Sequence, residues 1–336
     1  MAQSRVRIVD VADALGVSTA TVSNVIHGKT GKISDETVKR VQQELEKTGY
    51  IPNMAGILLA RNNSRIIGVV VNDHPKYEGR VLEDGFVMSS LNALSHEVNK
   101  KGYFLMIKTT TDINEIIVFA SMWNMDGLIL MGFCEANYEK LRNQMRISFV
   151  VYDGYFDKCS KFVNLVIDNY DGGYKAGEYF KKLGHKKALC ISDNYICMDK
   201  ERIDGFCKAF YPGKTVIWQI PNTKKERVQF YRDKFLELSM LGITGVFAVS
   251  DYYALDFMQF LQGRGVRIPK DLQIIGMDDS MASRESIPAL TTIHQDADLR
   301  AKTAIECIED MREGRDFGTR IVLPVKLIKR ESTGKL

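Results

Sequence analysis

"LGVSTATVSNVIHGKTGKISDETVKRVQQELEKTGYIPN", residues 15–53, begins with a run of side chains that are almost all small or hydroxylated. Just upstream, Ile8, Val11, Ala12 and Leu15 fall at i, i+3, i+4 and i+7, which predicts a short amphipathic helix that Gly16 ends. Ser18 is placed to cap a second helix with Val22, Val25 and Ile26 on its apolar side. Gly28 and Gly31 frame a loop, and Ser34 caps a third helix carrying Val38, Val41 and Leu45 inward as far as Gly49. Two short helices joined by a tight turn and buttressed by a third make a helix-turn-helix layout. A unit of about 50 residues just sustains a core of its own.

From Arg65 onward the pattern changes. "RIIGVVV", "YFLMI", "DGLILM" and "ISFVVYD" read as strands, separated by helical patterns around Leu82–Lys101, Asn114–Trp123 and Tyr138–Met145. The rhythm repeats with "VNLVID", "KALCIS", "TVIWQI", "TGVFAVS" and "LQIIGMDD", between helices near Tyr174–Leu183, Ile203–Phe210, Arg227–Ser239 and Tyr252–Gln262. Alternation of this kind predicts parallel sheets covered on both faces, here in two doubly wound lobes. Such sheets take ligands outside the carboxyl ends of their strands. Those ends carry Asn72 and Asp73, Asp153, Asp168, Ser250 and Asp251, and Asp278 with Asp279. A single aspartate in such a place is as readily the cap of the next helix, but their recurrence on both lobes points to a pocket between them.

The 336-residue length predicts two or three domains, and 45% hydrophobic with 26% charged residues is ordinary for a soluble protein. No apolar run approaches the roughly 18 residues needed to cross a bilayer, and no secretory segment opens the chain, so the sequence reads as cytoplasmic. Residues 1–65 hold nine Lys and Arg against six Asp and Glu, most of the net +4 of the whole chain. That is where a nucleic-acid contact would need it. The cysteines, Cys134, Cys159, Cys190, Cys197, Cys207 and Cys307, form no C-x-x-C pair and have no histidine at zinc-ligand spacing. They read as reduced thiols, and neither a metal nor a cofactor is expected. Trp218, inside a β run, reads as strand core, and His185 as part of a helix-to-strand turn.

Taken together, these stretches resemble the lactose-repressor (LacI/GalR) family of bacterial transcription regulators. "IVDVADALGVSTATVSNVIHG" resembles its helix-turn-helix, and "KISDETVKRVQQELEKTGYIPN" its third helix and hinge entry. "VIDNYDGGYKAGEYFKKLGHKKAL" is similar to the start of its C-terminal lobe. "VRIPKDLQIIGMDDS", "PALTTIHQD" and "LIKREST" are similar to later signatures. The resemblance implies an all-α DNA-binding domain over 1–50, a hinge helix or linker over 51–64, and a two-lobed α/β core like that of periplasmic binding proteins over 65–336. It puts the N-lobe at 65–165 and 294–322 and the C-lobe at 166–293 and 323–336.

By the same resemblance, Thr19, Ala20 and Asn24 face base edges, while Ser18, Thr21, Ser23 and His27 touch phosphates or cap the helix. Asn24 stands where many members carry arginine, and its amide suits adenine N6 and N7. Asn53 caps the hinge and Leu59 takes the position of the leucine that wedges into the minor groove. Gly56, where alanine is common, weakens that helix by about 0.5–1 kcal/mol. The family pairs as a homodimer on a near-palindromic operator, and helix Leu82–Asn99 and the region after Met281 lie where its members pair. For a small-molecule effector, most simply a sugar, the resemblance carries over Asp73, Tyr77, Asp153, Arg202, Asn222, Asp251 and Asp278. Two departures leave that ligand open: Ser250-Asp251 stands where many sugar binders have Asn-Asp, and Asn222 falls near the usual stacking aromatic. A non-sugar ligand or a protein co-regulator therefore stays as the alternative. An enzyme is disfavoured because G-x-S-x-G, the P-loop and G-x-G-x-x-G are all missing. A transport receptor is disfavoured by the N-terminal helices.

Overall fold

The computed structural model describes residues 6–51, 64–133, 141, 143–154 and 162–335. The chain divides into two compact units, Met1–Ser64 and Arg65–Leu336. In the first, α1 (Ile8–Leu15), α2 (Thr19–Ile26) and α3 (Asp35–Thr48) close over Val11, Ala12, Val22, Val25 and Val41. Gly16 ends α1 at φ +65°, a conformation that costs glycine nothing. Ser18 and Ser34 cap α2 and α3, their hydroxyls accepting the N–H of Thr21 and Thr37 at 3.0 and 3.3 Å. Arg40 of α3 donates to the carbonyl of Leu15 at 3.1 Å, satisfying one of the open acceptors at the end of α1.

The second unit holds two six-stranded sheets among its described residues. Along the chain come β1 (Ile66–Val71), α4 (Gly85–Lys100), β2 (Phe104–Thr109), α5 (Ile113–Met122), β3 (Gly127–Met131), β4 (Phe149–Tyr152) and β5 (Phe162–Ile167). Then follow α6 (Asn169–Leu183), β6 (Lys187–Ser192), α7 (Cys197–Phe210), β7 (Lys214–Gln219), α8 (Lys224–Leu241), β8 (Gly245–Ala248) and α9 (Asp251–Gln262). The last elements are β9 (Gln273–Asp278), α10 (Met281–Glu285), β10 (Thr291–Gln295), α11 (Ala297–Glu313), β11 (Arg320–Leu323) and β12 (Val325–Ile328). The N-lobe sheet runs β11-β5-β4-β3-β1-β2 with every pair parallel; the C-lobe sheet runs β12-β10-β9-β8-β6-β7 and is parallel except for β12.

The burial of the strands explains why they read as continuous apolar runs. Every residue of β1, β3, β4 and β5 is buried, as expected of strands covered on both faces, whereas β2 and β7 lie at sheet edges and alternate with exposed positions. The chain changes lobe after β5, after β10 and between β11 and β12. Pairing carries β5 on to Ile167 and β11 to Leu323, past the expected ends at 165 and 322, and Gln295 still pairs with Val325 in the C-lobe sheet. The short strands β11 and β12 and the one-turn helix α10 have no clear periodic signal. The expected helix at Tyr138–Met145 lies largely outside the described residues, as do Cys134 and Cys159.

Candidate functional site

The first candidate surface is the outer side of α2. Ser18, Thr19, Ala20 and Asn24 are exposed, and Thr21, Ser23 and His27 are half-buried. Val22 and Val25 point the other way, fully inside the small core. Ala20 and Asn24 each stand two residues, about half a turn, from Val22, so the helix turns a smooth, small-residue face outward, the shape it needs to enter a groove about 12 Å wide. Thr21 shares its hydroxyl with Ser18 at 2.9 Å, so its local task is to brace the cap. Lys29 and Lys32 are exposed just beyond the helix. Asn53 and Leu59 lie outside the described residues.

The second is a cavity of about 180 Å³ between the two sheets of the larger unit. From the N-lobe, the carboxyl end of β1 supplies Asn72, His74, Lys76 and Tyr77, the N-cap of α4 supplies Asp84, and the turn after β4 supplies Asp153. From the C-lobe come Asp193 and Asn194 after β6, Asp199 and Arg202 on α7, Ser250, Tyr252 and Tyr253 around the start of α9, and Asp278 after β9. Gln295, at the crossover, closes the floor. This is the position that open parallel sheets reserve for ligands. Asp153 and Asp278 both have positive φ, +55° and +129°, so each strand end turns sharply as it delivers its carboxylate.

Arg202 is held by close packing of backbone on backbone. A Cβ on Gly173 of α6 would lie 1.8 Å from the carbonyl oxygen of Arg202, and one on Gly205 of α7 would lie 2.1 Å from that of Tyr170. These glycines let α6 and α7 touch, which sets the guanidinium beside the cavity. Its Nε donates to Asn169 Oδ1 at 2.8 Å and its Nη1 to the carbonyl of Val249 at 2.7 Å, leaving Nη2 for the cavity. Asp199 stands 3.7 Å from Nη1. Gln295 donates to Asp278 Oδ1 at 2.8 Å and accepts from Arg300 Nη1 at 3.0 Å, and Arg300 Nη2 reaches Asp153 at 2.9 Å. A chain of polar groups thus links Asp153 and Asp278, cavity aspartates of opposite lobes.

The cavity is acidic. Five aspartates line it against Lys76 and Arg202. Burial, reinforced by the charge of Asp251 and opposed by Arg202, pushes the Asp278 carboxyl well above the usual carboxylate range. Burial also raises Asp199, against the pull of Arg202, and Asp84, against the N–H of Val87. His74 is lowered by burial and then by Lys76. Asp153 Oδ1 is buried with no hydrogen-bond partner, an acceptor waiting for a donor.

Of the residues expected around an effector, Tyr77, Asp153, Arg202 and Asp278 meet at this cavity, whereas Asp73, Asn222 and Asp251 do not line it. Asp251 is corrected to a different task. Its carboxylate is buried and saturated by Thr292 Oγ1 at 2.6 Å and by the N–H and hydroxyl of Ser280 at 2.8 and 3.0 Å, tying β10 to the turn after β9. Asn222 belongs to the loop before α8, where its carbonyl accepts from Arg227 Nη1. Asp279 is likewise taken up by Arg284, His294 and Arg330, and Asp168 caps α6. Trp218 packs edge-on against Phe230 and Phe257 away from the cavity, and His185 is buried against Phe180 and bonded to Thr244. Sequence reasoning missed Asp193, although it stands at a strand's carboxyl end like the others. It also missed Lys76, Asp84, Tyr252, Tyr253 and Arg300, for which the sequence holds no comparable signal.

Comparison with known proteins agrees with this geometry. Residues 7–53 match the family described as bacterial regulatory proteins, lacI family, and residues 178–333 match the periplasmic binding protein-like domain. The chain is 30% identical to the HTH-type transcriptional regulator DegA of Bacillus subtilis, with 98% of each chain covered. It is also 30% identical to the HTH-type transcriptional repressor PurR of Aliivibrio salmonicida, covering 98% of this chain and 99% of that one. The chain belongs to the LacI family. As a LacI-family protein it is a DNA-binding transcriptional regulator, with α2 in the helix-turn-helix. Its fold matches the Lac repressor dimer bound to operator and the anti-inducer ONPF with a TM-score of 0.83 at 21% identity, over 98% of this chain and 99% of that one. A LacI family transcriptional regulator from Enterococcus faecium with bound ribose matches 81% of this chain and 99% of its own, at 25% identity and a TM-score of 0.66. Among the described residues of this LacI-family regulator, no helix is long and apolar enough to cross a membrane.

Proposed function

We propose that this chain acts as a homodimer on a near-palindromic operator, and that a sugar or sugar derivative bound between the lobes changes its affinity for that DNA. The observation that carries the reading is the meeting, in one cavity, of Arg202 with the acceptors Asp153 and Asp278 from opposite lobes. Hydroxyls both donate and accept, so a polyol answers a guanidinium and two carboxyls at once. A sugar bridging Asp153 and Asp278 would bind the closed arrangement more tightly than an open one, and a ligand shifts an equilibrium only by such a difference. The ribose held by the relative from Enterococcus faecium supports this ligand class. On the DNA side, Thr19, Ala20 and Asn24 read bases, Ser18, Thr21, Ser23 and His27 hold phosphates or the cap, and Asn53 and Leu59 belong to the hinge.

The test is a titration of fluorescent duplexes from the gene's own neighbourhood with full-length protein, with and without a panel of sugars. An operator bound better than random duplex, whose affinity a sugar moves by roughly 5–150-fold, supports the reading. If every duplex binds alike, the reading is wrong. A second reading keeps the DNA function with a non-sugar ligand or a protein co-regulator, and it is favoured by the absence of Asn222 and Asp251 from the cavity wall. A panel that leaves operator affinity unmoved selects it.

A further inference from the structure

The geometry points to Lys76 as the residue that sets the charge class of the effector: it fills the acidic side of the cavity with an ammonium of the protein's own and so excludes a ligand amine, while the aspartates around it repel anions, which leaves the site to an uncharged polyol. This rests on the preceding reading in one respect, that a small polyol occupies the cavity. Lys76 stands on the one-turn 3-10 helix Pro75–Tyr77 that follows β1, and its ammonium lies 5.0 Å from the ring centre of Tyr77 and 5.9 Å from that of Tyr253. Both distances are within the range at which an aromatic face attracts a cation. Asp84, Asp193 and Asp199 line the same cavity. One lobe therefore carries the cation and the other carries the ring of Tyr253 and two of the carboxylates.

Burial works against the charge of Lys76, but Tyr77, Asp193, Asp199 and Asp84 outweigh it and hold the ammonium above the ordinary lysine range. Burial and then Lys76 itself lower His74, against the pull of Asp193, so a second cation there is disfavoured. Arg202 offers the cavity only Nη2, since Asn169 and Val249 take its Nε and Nη1 and Asp199 stands 3.7 Å from Nη1. A phosphate or carboxylate entering the cavity meets more aspartate than free cation, and an amine must compete with Lys76 for the same rings and carboxylates. Hydroxyls meet neither obstacle. Removing Lys76 leaves an aromatic and acidic nest without its cation, which suits an ammonium.

Two measurements on the full-length protein test this. The first needs no ligand: melting temperature against pH from 8 to 5 for the wild type, Lys76→Met and Lys76→Arg. Without the ammonium the neighbouring carboxyls protonate at higher pH in the folded state, so Lys76→Met should gain on the wild type as pH falls, while Lys76→Arg should follow the wild type. Parallel curves for all three proteins overturn the proposal. The second is calorimetry with D-glucose, D-glucosamine and D-glucose 6-phosphate, and with D-ribose and D-ribose 5-phosphate. The expected order is a neutral sugar bound at least about tenfold more tightly than its phosphate by the wild type, with the preference moved toward glucosamine in Lys76→Met. A phosphate bound as tightly as its parent sugar overturns it. Should none of these sugars bind, the sugar reading falls while the pH comparison still decides the part played by Lys76.

Discussion

Arg300 shows how much one buried charge can control. It is 1% exposed, stacks with its Cζ 4.1 Å from the ring centre of Tyr152, and donates to Asp153, Gln295 and the carbonyl of Leu165. Arg300→Leu removes the charge and strands Asp153, so urea denaturation at pH 7 should show a loss of about 3–5 kcal/mol. The double variant Arg300→Leu with Asp153→Leu should recover part of it, because a matched apolar pair leaves no unpaired ion; no recovery would mean that the pairing is not what Arg300 supplies. Asp278 works in the opposite sense. Its raised carboxyl binds protons more readily folded than unfolded, so the protein loses stability as pH rises from the ordinary carboxylate range through the raised value. Asp278→Asn should therefore raise the melting temperature at pH 8, with a gain that shrinks toward pH 4; a gain independent of pH would place the cause elsewhere. At Asn24, exposed on α2, substitution by alanine should cost about 1–3 kcal/mol at a single base pair and leave the rest of the operator preference intact, as anisotropy against operator variants would reveal.

Among the elements, α6 and α7 show how glycines serve packing. The Cβ of a Gly173→Ala variant would be pressed into the backbone of Arg202, whereas that of Gly172→Ala would meet the flexible end of Met277 at 2.8 Å. Backbone cannot step aside as a methionine can. Gly173→Ala should cost about 3 kcal/mol or more and weaken effector binding by displacing Arg202, while Gly172→Ala should cost about 1 kcal/mol; equal denaturation midpoints for the two would contradict the close contact. The sequence made the elements themselves legible because strands such as β1 and β3, buried on both faces, are written as unbroken apolar runs between amphipathic helices. Strand ends were legible too, which is how Asp153 and Asp278 were found. Lys76 and Asp84 were not, since they reach the cavity from turns whose course depends on the other lobe. Arg300 was hidden for a different reason: it occupies a helix position that carries no sign of being inward until Asp153 and Gln295, far away in sequence or across a crossover, are folded against it. Asp251 misled because a capping aspartate and a ligand aspartate look alike until their partners are known.

At the scale of the whole chain, the two units keep separate cores. Val11, Ala12, Val22, Val25 and Val41 serve only the first, and the larger clusters serve only the second. Each unit therefore has its own stability, and a ligand can raise only that of the unit that binds it. Enthalpy of unfolding scales with size at about 0.7 kcal/mol per residue, so calorimetry of the full-length protein should show a small transition for the N-terminal helices and one several times larger for the two-lobed body. A sugar at 100 times its Kd should stabilise the large transition by about 2.7 kcal/mol and leave the small one where it was. Operator DNA should raise the small transition if, as proposed, the duplex binds the face that Thr19, Ala20 and Asn24 expose. The informative sample contains both ligands. If occupancy of the cavity is transmitted to the DNA, the shift of the small transition caused by operator must change when sugar is added, and operator must change the affinity for sugar by the same factor, because coupling between two binding sites is reciprocal. Shifts that simply add would leave a DNA-binding head and a sugar-binding body that share a chain without conversing.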